Sequence, residues 1–131
     1  MVIDTSALVA ILLQEPESAG CARAIKQDPV RLLSAVSALE AAIVMESRKG
    51  PLGGRDLDLL LHRAAVEVVG FNAEQFEIAR AAYRKYGRGH HPAALNFGDC
   101  CAYSLAKASG EPLLAKGTDF RQTDITMVAC D

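Results

Sequence analysis

The sequence has few of the features that mark a membrane, zinc-binding or base-stacking protein. No stretch approaches the ~20 apolar residues of a membrane-spanning helix. No two of the four cysteines are separated by the two residues that are typical of a zinc site. We therefore expect free, partly buried thiols. Tryptophan is absent, and three tyrosines and four phenylalanines give little sign of a platform for stacked bases.

The chain also lacks a basic excess and a secretory leader. Its formal net charge of −2 argues against a surface coated in positive charge for non-specific binding of nucleic acid. The N-terminal segment is apolar, but it has no basic part and contains Asp4, so we expect a cytoplasmic protein. We predict a single domain over residues 1–131, because no repeat, linker or low-complexity segment divides the chain.

Hydrophobic periodicity and turn residues predict an alternation of strands and helices. The predicted strands are 2–3, 30–33, 66–69, 112–115 and 125–128. The predicted helices are 7–13, 17–27, a long helix from Ser34 or Ser37 to Ser47, 56–65, a helix capped by Asn72 that ends at Tyr86, and 98–108 closed by Gly110. Strands separated by helices predict an α/β sandwich around a mostly parallel sheet.

Four carboxylates occupy positions that such a fold brings to one edge of the sheet. Asp4 follows the first strand, and Asp119 follows the strand at 112–115. Asp99 lies in the first turn of its helix, and Glu40 lies early in the helix after the second strand. The carboxyl ends of parallel strands and the starts of the returning helices share one edge, where ligands bind. Oxygen donors without a histidine or cysteine beside them favour Mg²⁺ or Mn²⁺ over zinc.

Each acid also has an ordinary alternative role. Asp4 could cap its helix, Asp99 could stabilise the positive end of a helix dipole, and Asp119 could be a turn residue. Glu40 could be a surface glutamate, although its helix face carries apolar residues. Four separate accidents are not expected to select one edge of one sheet, so the convergence favours a divalent-metal site. Without the metal, neighbouring like charges should raise the pKa of at least one carboxylate.

The same acids lie in four short motifs that are distributed along the chain between residues 2 and 120. These motifs are VIDTSAL at 2–8, SALE at 37–40, YGRGHHPAALNFGDC at 86–100 and LAKGTDF at 114–120. They resemble the motifs of the PIN-domain ribonucleases and, more narrowly, of the VapC toxins of bacterial toxin-antitoxin modules, and the third motif is the most specific match. The resemblance implies a PIN-like three-layer sandwich with a short, mostly parallel central sheet flanked by helices. It also implies an endoribonuclease that hydrolyses RNA phosphodiester bonds with Mg²⁺, or Mn²⁺, as its cofactor.

The resemblance also implies roles for individual residues. The catalytic acids would be Asp4, Glu40, Asp99 and Asp119. Of these, Asp119 is the more variable member, and the metal would be held by Asp4, Asp99 and Glu40. The supporting residues would be Ser6, Thr5 and Asn96. A hydroxyl at Ser6 or Thr5 can bond a carboxylate or water, while capping the first helix explains Ser6 equally well, and for Asn96 we favour a helix cap over substrate contact.

RNA must be drawn to an acidic pocket, so basic residues should lie beside it. Removing four site acids from a net charge of −2 leaves +2 on the rest of the chain. The candidates for RNA binding are Arg88, His90, His91, Lys116 and Arg121. The loop from Arg88 to His91 is favoured because it leads into the helix that carries Asp99, and the alternative is an ordinary solvated run of charge.

Partners follow from the family resemblance rather than from spacing. We expect an RNA substrate, a cognate VapB-type antitoxin and a homodimer, and no membrane. The leucine-rich segment 56–65 fits a buried core helix. It would also fit a groove for an antitoxin segment, formed with the helix around Val44 and Met45, or a dimer contact.

Other functions remain as alternatives. An aspartyl phosphatase would need a second acid where this chain has Ser6, and a phosphoreceiver domain would need an acceptor aspartate near Val69, where none is found. A housekeeping PIN-domain nuclease outside a toxin-antitoxin module is the nearer alternative. A non-catalytic PIN domain that binds RNA or a partner is the other, and metal-dependent cleavage of any RNA would exclude it.

Overall fold

A computed structural model describes residues 1–130, in which four strands alternate with six α-helices. Strands β1 to β4 are Val2–Ile3, Leu32–Ser34, Glu67–Val69 and Leu113–Leu114. Helices α1 to α6 are Thr5–Leu12, Ser18–Gln27, Ala35–Lys49, Pro51–Arg63, Ala73–Tyr86 and Phe97–Ser109, and a 3₁₀ helix covers Asp119–Gln122. None of the helices in this part of the chain has the length and apolar character needed to cross a membrane.

The four strands form one parallel sheet in the order β3-β2-β1-β4. Val2 of β1 lies opposite Leu32 on one side and Leu113 on the other. The chain therefore adds β2 and β3 on one side of β1 and then returns to place β4 on the opposite side. In α/β sheets such a reversal opens a crevice at the carboxyl ends of the two strands concerned, here β1 and β4.

Successive strand residues face two separate hydrophobic cores, as the two-residue repeat of a strand requires. Val2 and Leu113 pack against α5 and α6, whereas Ile3, Leu33 and Leu114 pack on the other face, against α1, α2 and α4. All five side chains are completely buried. Two layers of helices therefore enclose the sheet, and the predicted sandwich is confirmed.

Local signals in the sequence set several helix ends where they were predicted. The side chain of Asn72 accepts a hydrogen bond from the backbone N–H of Gln75 at 2.9 Å and caps α5. Gly110 ends α6 in the left-handed conformation, with φ of 71°, which costs glycine little. These two ends fix the lengths of the helices that pack together on one face of the sheet.

Two predicted elements are wrong. Residues 125–128 do not form a strand, and Met127 makes only a single parallel bridge to Leu113, because β4 is two residues long and offers little ladder to extend. Helix α4 begins at Pro51 rather than at residue 56. Proline is tolerated in a first helical turn, and the missing side chain of Gly53 lets α4 lie directly against the backbone of Met45. Gly53 therefore serves a close helix crossing, whereas Gly50, with φ of 63°, separates α3 from α4.

The prediction of four free thiols is also wrong. Cys21 in α2 and Cys130 form a disulfide, with their Cα atoms 4.9 Å apart and a sequence separation of 109. Cys100 and Cys101 in α6 are free and buried, as predicted. A bridge depends on the distance to which the fold brings two Cα atoms, and the spacing of cysteines in the sequence does not contain that distance.

Candidate metal centre

The crevice at the carboxyl ends of β1 and β4 is a cavity of about 310 Å³. Its walls come from α1, α3, the start of α6 and the segments after α1 and β4. It is lined by Asp4, Thr5, Ser6, Val9, Glu15, Glu40, Val44, Asn96, Asp99 and Lys116. Three of the four predicted acids thus share one cavity.

Asp4 is the most enclosed of these acids, with an exposed fraction of 6%. It is the N-cap of α1, and its Oδ2 accepts hydrogen bonds from the backbone N–H of Ser6 at 3.0 Å and from the Ser6 hydroxyl at 2.6 Å. The Ser6 hydroxyl oxygen accepts in turn from the backbone N–H of Lys116 at 2.9 Å. The Asp4 side chain therefore caps α1 and also belongs to the acidic cavity. Through the Ser6 hydroxyl it links the end of β1 to the segment after β4.

Asp99 is held at the start of α6 by a reciprocal pair of hydrogen bonds with Asn96. The backbone N–H of Asp99 donates to Asn96 Oδ1 at 2.9 Å, and the backbone N–H of Asn96 donates to Asp99 Oδ2 at 3.0 Å. This is a capping box, so the predicted role of Asn96 as a helix cap is confirmed. The box fixes the Asp99 carboxylate at the positive end of the helix, inside the cavity.

Glu40 lies between α1 and α6. The Thr5 hydroxyl lies 3.2 Å from Glu40 Oε1 and 3.0 Å from the backbone oxygen of Ser37, so one hydroxyl proton faces two acceptors. On its other side the Glu40 carboxylate lies against Gly98, at the place where any other residue would carry its Cβ. The glutamate is therefore restrained from both sides beside the helix that carries Asp99.

The protein raises the pKa of all three acids in the cavity. Burial is the largest cause for each, and it raises the pKa of Asp99 to about 6. The charge of Glu40 adds to the effect on Asp4, and the charge of Asp99 adds to the effect on Glu40. Asp4 and Asp119 raise the pKa of Asp99 further, while Arg88 opposes them. The expectation that like charges would raise a carboxylate pKa is confirmed, with burial as the larger cause.

The donor set fits a hard divalent cation, because it consists of carboxylate and hydroxyl oxygens. In residues 1–130 no lysine, arginine or histidine forms a salt bridge with Asp4, Glu40 or Asp99. Within the same residues, no three side chains of aspartate, glutamate, histidine or cysteine lie close enough together to bind one metal ion as they stand.

Asp119 has a different environment from the other three acids. It is exposed at the first position of the 3₁₀ helix and does not line the cavity. Its charge nevertheless contributes to the raised pKa of Asp99. The structure therefore places Asp119 near the cavity and outside its wall.

Two of the predicted RNA-binding residues act on the charges of the cavity. Arg88 is exposed, and its charge lowers the pKa of Asp99, against the larger effect of burial. Lys116 lines the cavity, but its ammonium group is paired with Glu15 at 2.9 Å and lies 3.9 Å from Glu17. Arg88 therefore presents its charge more freely than Lys116.

The other three predicted RNA-binding residues, like Arg88, lie outside the cavity lining. The ring of His90 packs edge-on against Tyr83, with centroids 5.3 Å apart. The Nδ1 of His91 accepts a hydrogen bond from the backbone N–H of Ala93 at 3.0 Å, so this ring stabilises its own loop. Arg121 is exposed in the 3₁₀ helix that begins at Asp119.

Known proteins are similar to this chain in sequence and in fold. The PIN domain family matches residues 1–125. The chain belongs to the PIN-domain family. This PIN domain is 58% identical over 129 residues to Ribonuclease VapC30 of Mycobacterium tuberculosis, and the match covers 98% of each chain. The resemblance inferred from the four motifs is confirmed.

Solved structures show the same PIN-domain fold at lower identity. The crystal structure of VapC20 of Mycobacterium tuberculosis, a Sarcin-Ricin loop cleaving toxin, matches with a TM-score of 0.79 and 18% identity over 97% of both chains. The structure of VapBC-1 from nontypeable Haemophilus influenzae matches with a TM-score of 0.76 and 16% identity, over 98% of this chain and 96% of that one. At these identities the likeness shows the fold alone.

Two residues of this site were missed by reasoning from the sequence. Glu15 lines the cavity, and it follows Gln14, whose φ of 55° turns the chain out of α1. No sequence pattern marks that turn. Gly98 touches the Glu40 carboxylate, and it could have been found, because a glycine inside a helical segment asks for an explanation.

Proposed function

We propose that this chain is the toxin of a toxin-antitoxin module and acts in the cytoplasm as a divalent-metal-dependent endoribonuclease. The observation that carries the proposal is the cavity that holds Asp4, Glu40 and Asp99, none of which forms a salt bridge with a cationic side chain within residues 1–130. The reaction is supported by VapC30, which is named a ribonuclease and is 58% identical over nearly the full length of both chains.

The cavity supports phosphodiester hydrolysis with a division of labour among its acids. Mg²⁺ or Mn²⁺, when bound, polarises the scissile phosphate and activates water. Asp4 and Asp99 would hold the ion, because their carboxylates are fixed by the Ser6 and Asn96 bonds. Glu40 would orient the attacking water or bind a second ion, and Asp119 would add negative charge at the rim. Arg88 would hold an RNA phosphate close to the acids.

The direct test is cleavage of RNA by the purified protein with Mg²⁺ or Mn²⁺, comparing the wild type with Asp99→Asn. Loss of a residue that supports a metal ligand costs about 10- to 100-fold in affinity or activity, so loss of a ligand should lower cleavage by more than about 100-fold. The asparagine can still accept the bond from the Asn96 N–H through its amide oxygen, so α6 should keep its cap. Unchanged cleavage by Asp99→Asn, or cleavage that persists in a chelator, would contradict the proposal.

A matched control is Asp124→Asn, which changes an acid of the same type away from the cavity. Asp124 accepts a hydrogen bond from Tyr103 and pairs with Lys107. This variant should cleave RNA like the wild type. Mapping of RNA ends after brief induction in cells, again for the wild type against Asp99→Asn, would then identify the target and the cleavage site.

We also propose that a VapB-type antitoxin binds the groove between α1, α2 and α4. A solved structure that shares this fold, with a TM-score of 0.75, is named a toxin-antitoxin complex from Klebsiella pneumoniae. The groove has an apolar floor that includes Ile11 and Leu60 and a basic rim that includes Lys26 and Arg63, which suits an acidic amphipathic segment. Leu60→Asp should weaken co-purification with the antitoxin encoded beside this chain, and unchanged co-purification would contradict the location. Met45, which was expected to line such a groove, is completely buried.

A homodimer is proposed from a second apolar surface, on the α5 and α6 side of the molecule. A groove of about 380 Å³ there is lined by Phe71, Phe76, Ala79, Arg80, Tyr83, Phe97, Cys100 and Cys101. The four aromatic residues in it are all exposed, and Phe97 reaches 73%. Apolar patches of this kind mark interfaces. Light scattering should give the mass of a dimer for the wild type and of a monomer for Phe76→Ser, and a monomeric wild type would contradict the proposal.

A further inference from the structure

The first turn of α6 contains a glycine that the helix itself does not need. Gly98 is the second residue of α6 and is buried. Its φ is outside the left-handed region in which glycine is favoured over other residues. Alanine has a higher intrinsic helix propensity than glycine, so the backbone conformation gives no reason for a glycine at this position.

The space beside Gly98 does give a reason. A Cβ built on Gly98 would overlap both carboxylate oxygens and the Cδ of Glu40. On the opposite side the Thr5 hydroxyl lies 3.2 Å from Glu40 Oε1. The carboxylate therefore occupies a slot between α1 and the first turn of α6, next to the residue that follows Gly98, which is Asp99.

We propose that Gly98 is a positioning residue, whose missing side chain provides the space in which Glu40 holds its carboxylate beside Asp99. This inference rests on the proposed metal centre and names a residue on which that centre depends. The atoms that a Cβ would meet are the end of a flexible side chain and not backbone atoms. A larger residue at position 98 should therefore displace the Glu40 carboxylate and leave the fold intact.

The test compares Gly98→Ala with Gly54→Ala. Gly54 lies inside helix α4, and a Cβ there would also approach a glutamate carboxylate, with Glu46 Oε2 at 2.9 Å, but neither residue lines the cavity. In a chelator, both variants should unfold at temperatures equal to or above that of the wild type, because alanine favours a helix. In calorimetric titration with Mn²⁺ alone, Gly98→Ala should bind about tenfold more weakly than the wild type, while Gly54→Ala should bind like the wild type.

Repeating the comparison in a Glu40→Asp variant distinguishes two explanations for weaker binding, displacement of the Glu40 carboxylate and a general disturbance of α6. Aspartate at position 40 is one methylene shorter, so its carboxylate would be withdrawn from the Cβ of an alanine at 98. Gly98→Ala should therefore weaken Mn²⁺ binding less in the Glu40→Asp background than in the wild-type background. Equal losses in the two backgrounds, wild-type Mn²⁺ binding by Gly98→Ala, or unfolding of Gly98→Ala when Gly54→Ala folds would each overturn the proposal.

A crystal structure of Gly98→Ala separates failure of this inference from failure of the proposed function. If the wild type binds no Mn²⁺, the proposed metal centre is wrong, whatever Gly98 does. The position of the Glu40 carboxylate still decides the inference in that case. Displacement from the Thr5 hydroxyl supports it, and an unchanged carboxylate position overturns it.

Discussion

Acidic side chains lie at both ends of the central sheet, and their partners differ. At the end where the strands begin, the amino group of Met1 donates to Asp28 at 3.0 Å and to Glu111 at 3.1 Å. Near the same end, Asp124 accepts from the Tyr103 hydroxyl at 2.5 Å and pairs with Lys107 at 2.7 Å. Each of these acids thus has a cationic partner supplied by the protein.

The acids at the carboxyl ends of the strands receive neutral donors instead. Backbone amides and hydroxyl groups bond Asp4, Asp99 and Glu40, and no salt bridge joins them to a cationic side chain among residues 1–130. A buried charge without an opposite charge is costly, and such sites are enriched in function. This difference is what supports the proposal that a divalent cation binds at the carboxyl ends of the strands.

The pKa values of Asp28 and Asp124 move in the opposite direction from the pKa of Asp99. The backbone hydrogen bond from Val30 is the largest cause of the lowered pKa of Asp28. Burial raises the pKa of Asp124, but the bonds from Lys107 and Tyr103 outweigh burial and lower it overall. Burial instead dominates at Asp99, whose pKa rises to about 6. The same chemical group is therefore stabilised as an anion at one end of the sheet and destabilised at the other.

The largest expected effect is on RNA cleavage, which a substitution at the carboxyl end of the sheet should lower and a substitution at the opposite end should not. Asp4→Asn should lower RNA cleavage by more than about 100-fold and leave the free energy of unfolding without metal unchanged or higher, because an asparagine oxygen can still accept from Ser6. Asp124→Asn should keep cleavage and lower the free energy of unfolding by about 1 kcal/mol, because the ion pair with Lys107 is lost and the Tyr103 hydroxyl then donates to a neutral oxygen. Urea unfolding and a cleavage assay measure both quantities. Similar activity losses in the two variants would remove the distinction between the ends.

A second prediction uses the pH dependence of stability. The folded-state pKa of Asp99 is about 6 and its ordinary value is 3.8. The folded protein therefore holds a proton that the unfolded chain loses, so the stability from this group is present below about pH 4 and is lost as pH rises through about 6. Part of the carboxyl group is exposed, so we expect an effect on the order of 1 kcal/mol.

Urea unfolding in a chelator at pH 4.5 and 7.5 measures this effect. Asp99→Asn should be less destabilised by the higher pH than the wild type. The lowered pKa of Asp124 has the opposite sign, since its contribution is present above pH 3.8 and is lost as pH falls through its folded-state value. An identical pH dependence of the wild type and Asp99→Asn would show that Asp99 is not strained as an anion.

The sequence allowed the acidic end of the sheet to be predicted because its signals are local. Asp4 directly follows an apolar strand, and the topology of a parallel sheet then places it at the ligand-binding edge. Asn96 and Asp99 have the spacing of a capping box, which predicts a helix start. Each of these inferences needs only neighbouring residues and one general rule of folds.

The remaining features depend on contacts between distant parts of the chain. Gly98 matters because Glu40 reaches it from another helix, and the bridge from Cys21 in α2 to Cys130 joins residues that are far apart in sequence. The ion pairs of Met1 and of Asp124 also join distant residues. The sequence marks charged residues but not their partners, so the contrast between the two ends of the sheet could be recognised only in the folded structure.

The smallest expected effect concerns Lys116, which lines the acidic cavity. Lys116 is already paired with Glu15, whereas the charge of Arg88 acts on Asp99 directly. Measured in the inactive Asp99→Asn background, Arg88→Gln should weaken RNA binding several-fold and reduce the slope of log affinity against log salt by about 1, the value for one phosphate contact.

Lys116→Gln should change RNA affinity less than Arg88→Gln. It should also leave the free energy of unfolding nearly unchanged, because its ion pair with Glu15 lies at the exposed surface. If Lys116→Gln instead reduces the salt slope as much as Arg88→Gln, the ion pair with Glu15 opens when RNA binds. The Lys116 ammonium group would then bind an RNA phosphate at the carboxyl end of the sheet. In that case only the three acids of the cavity would lack a cationic partner, and the contrast between the two ends of the sheet would be limited to them.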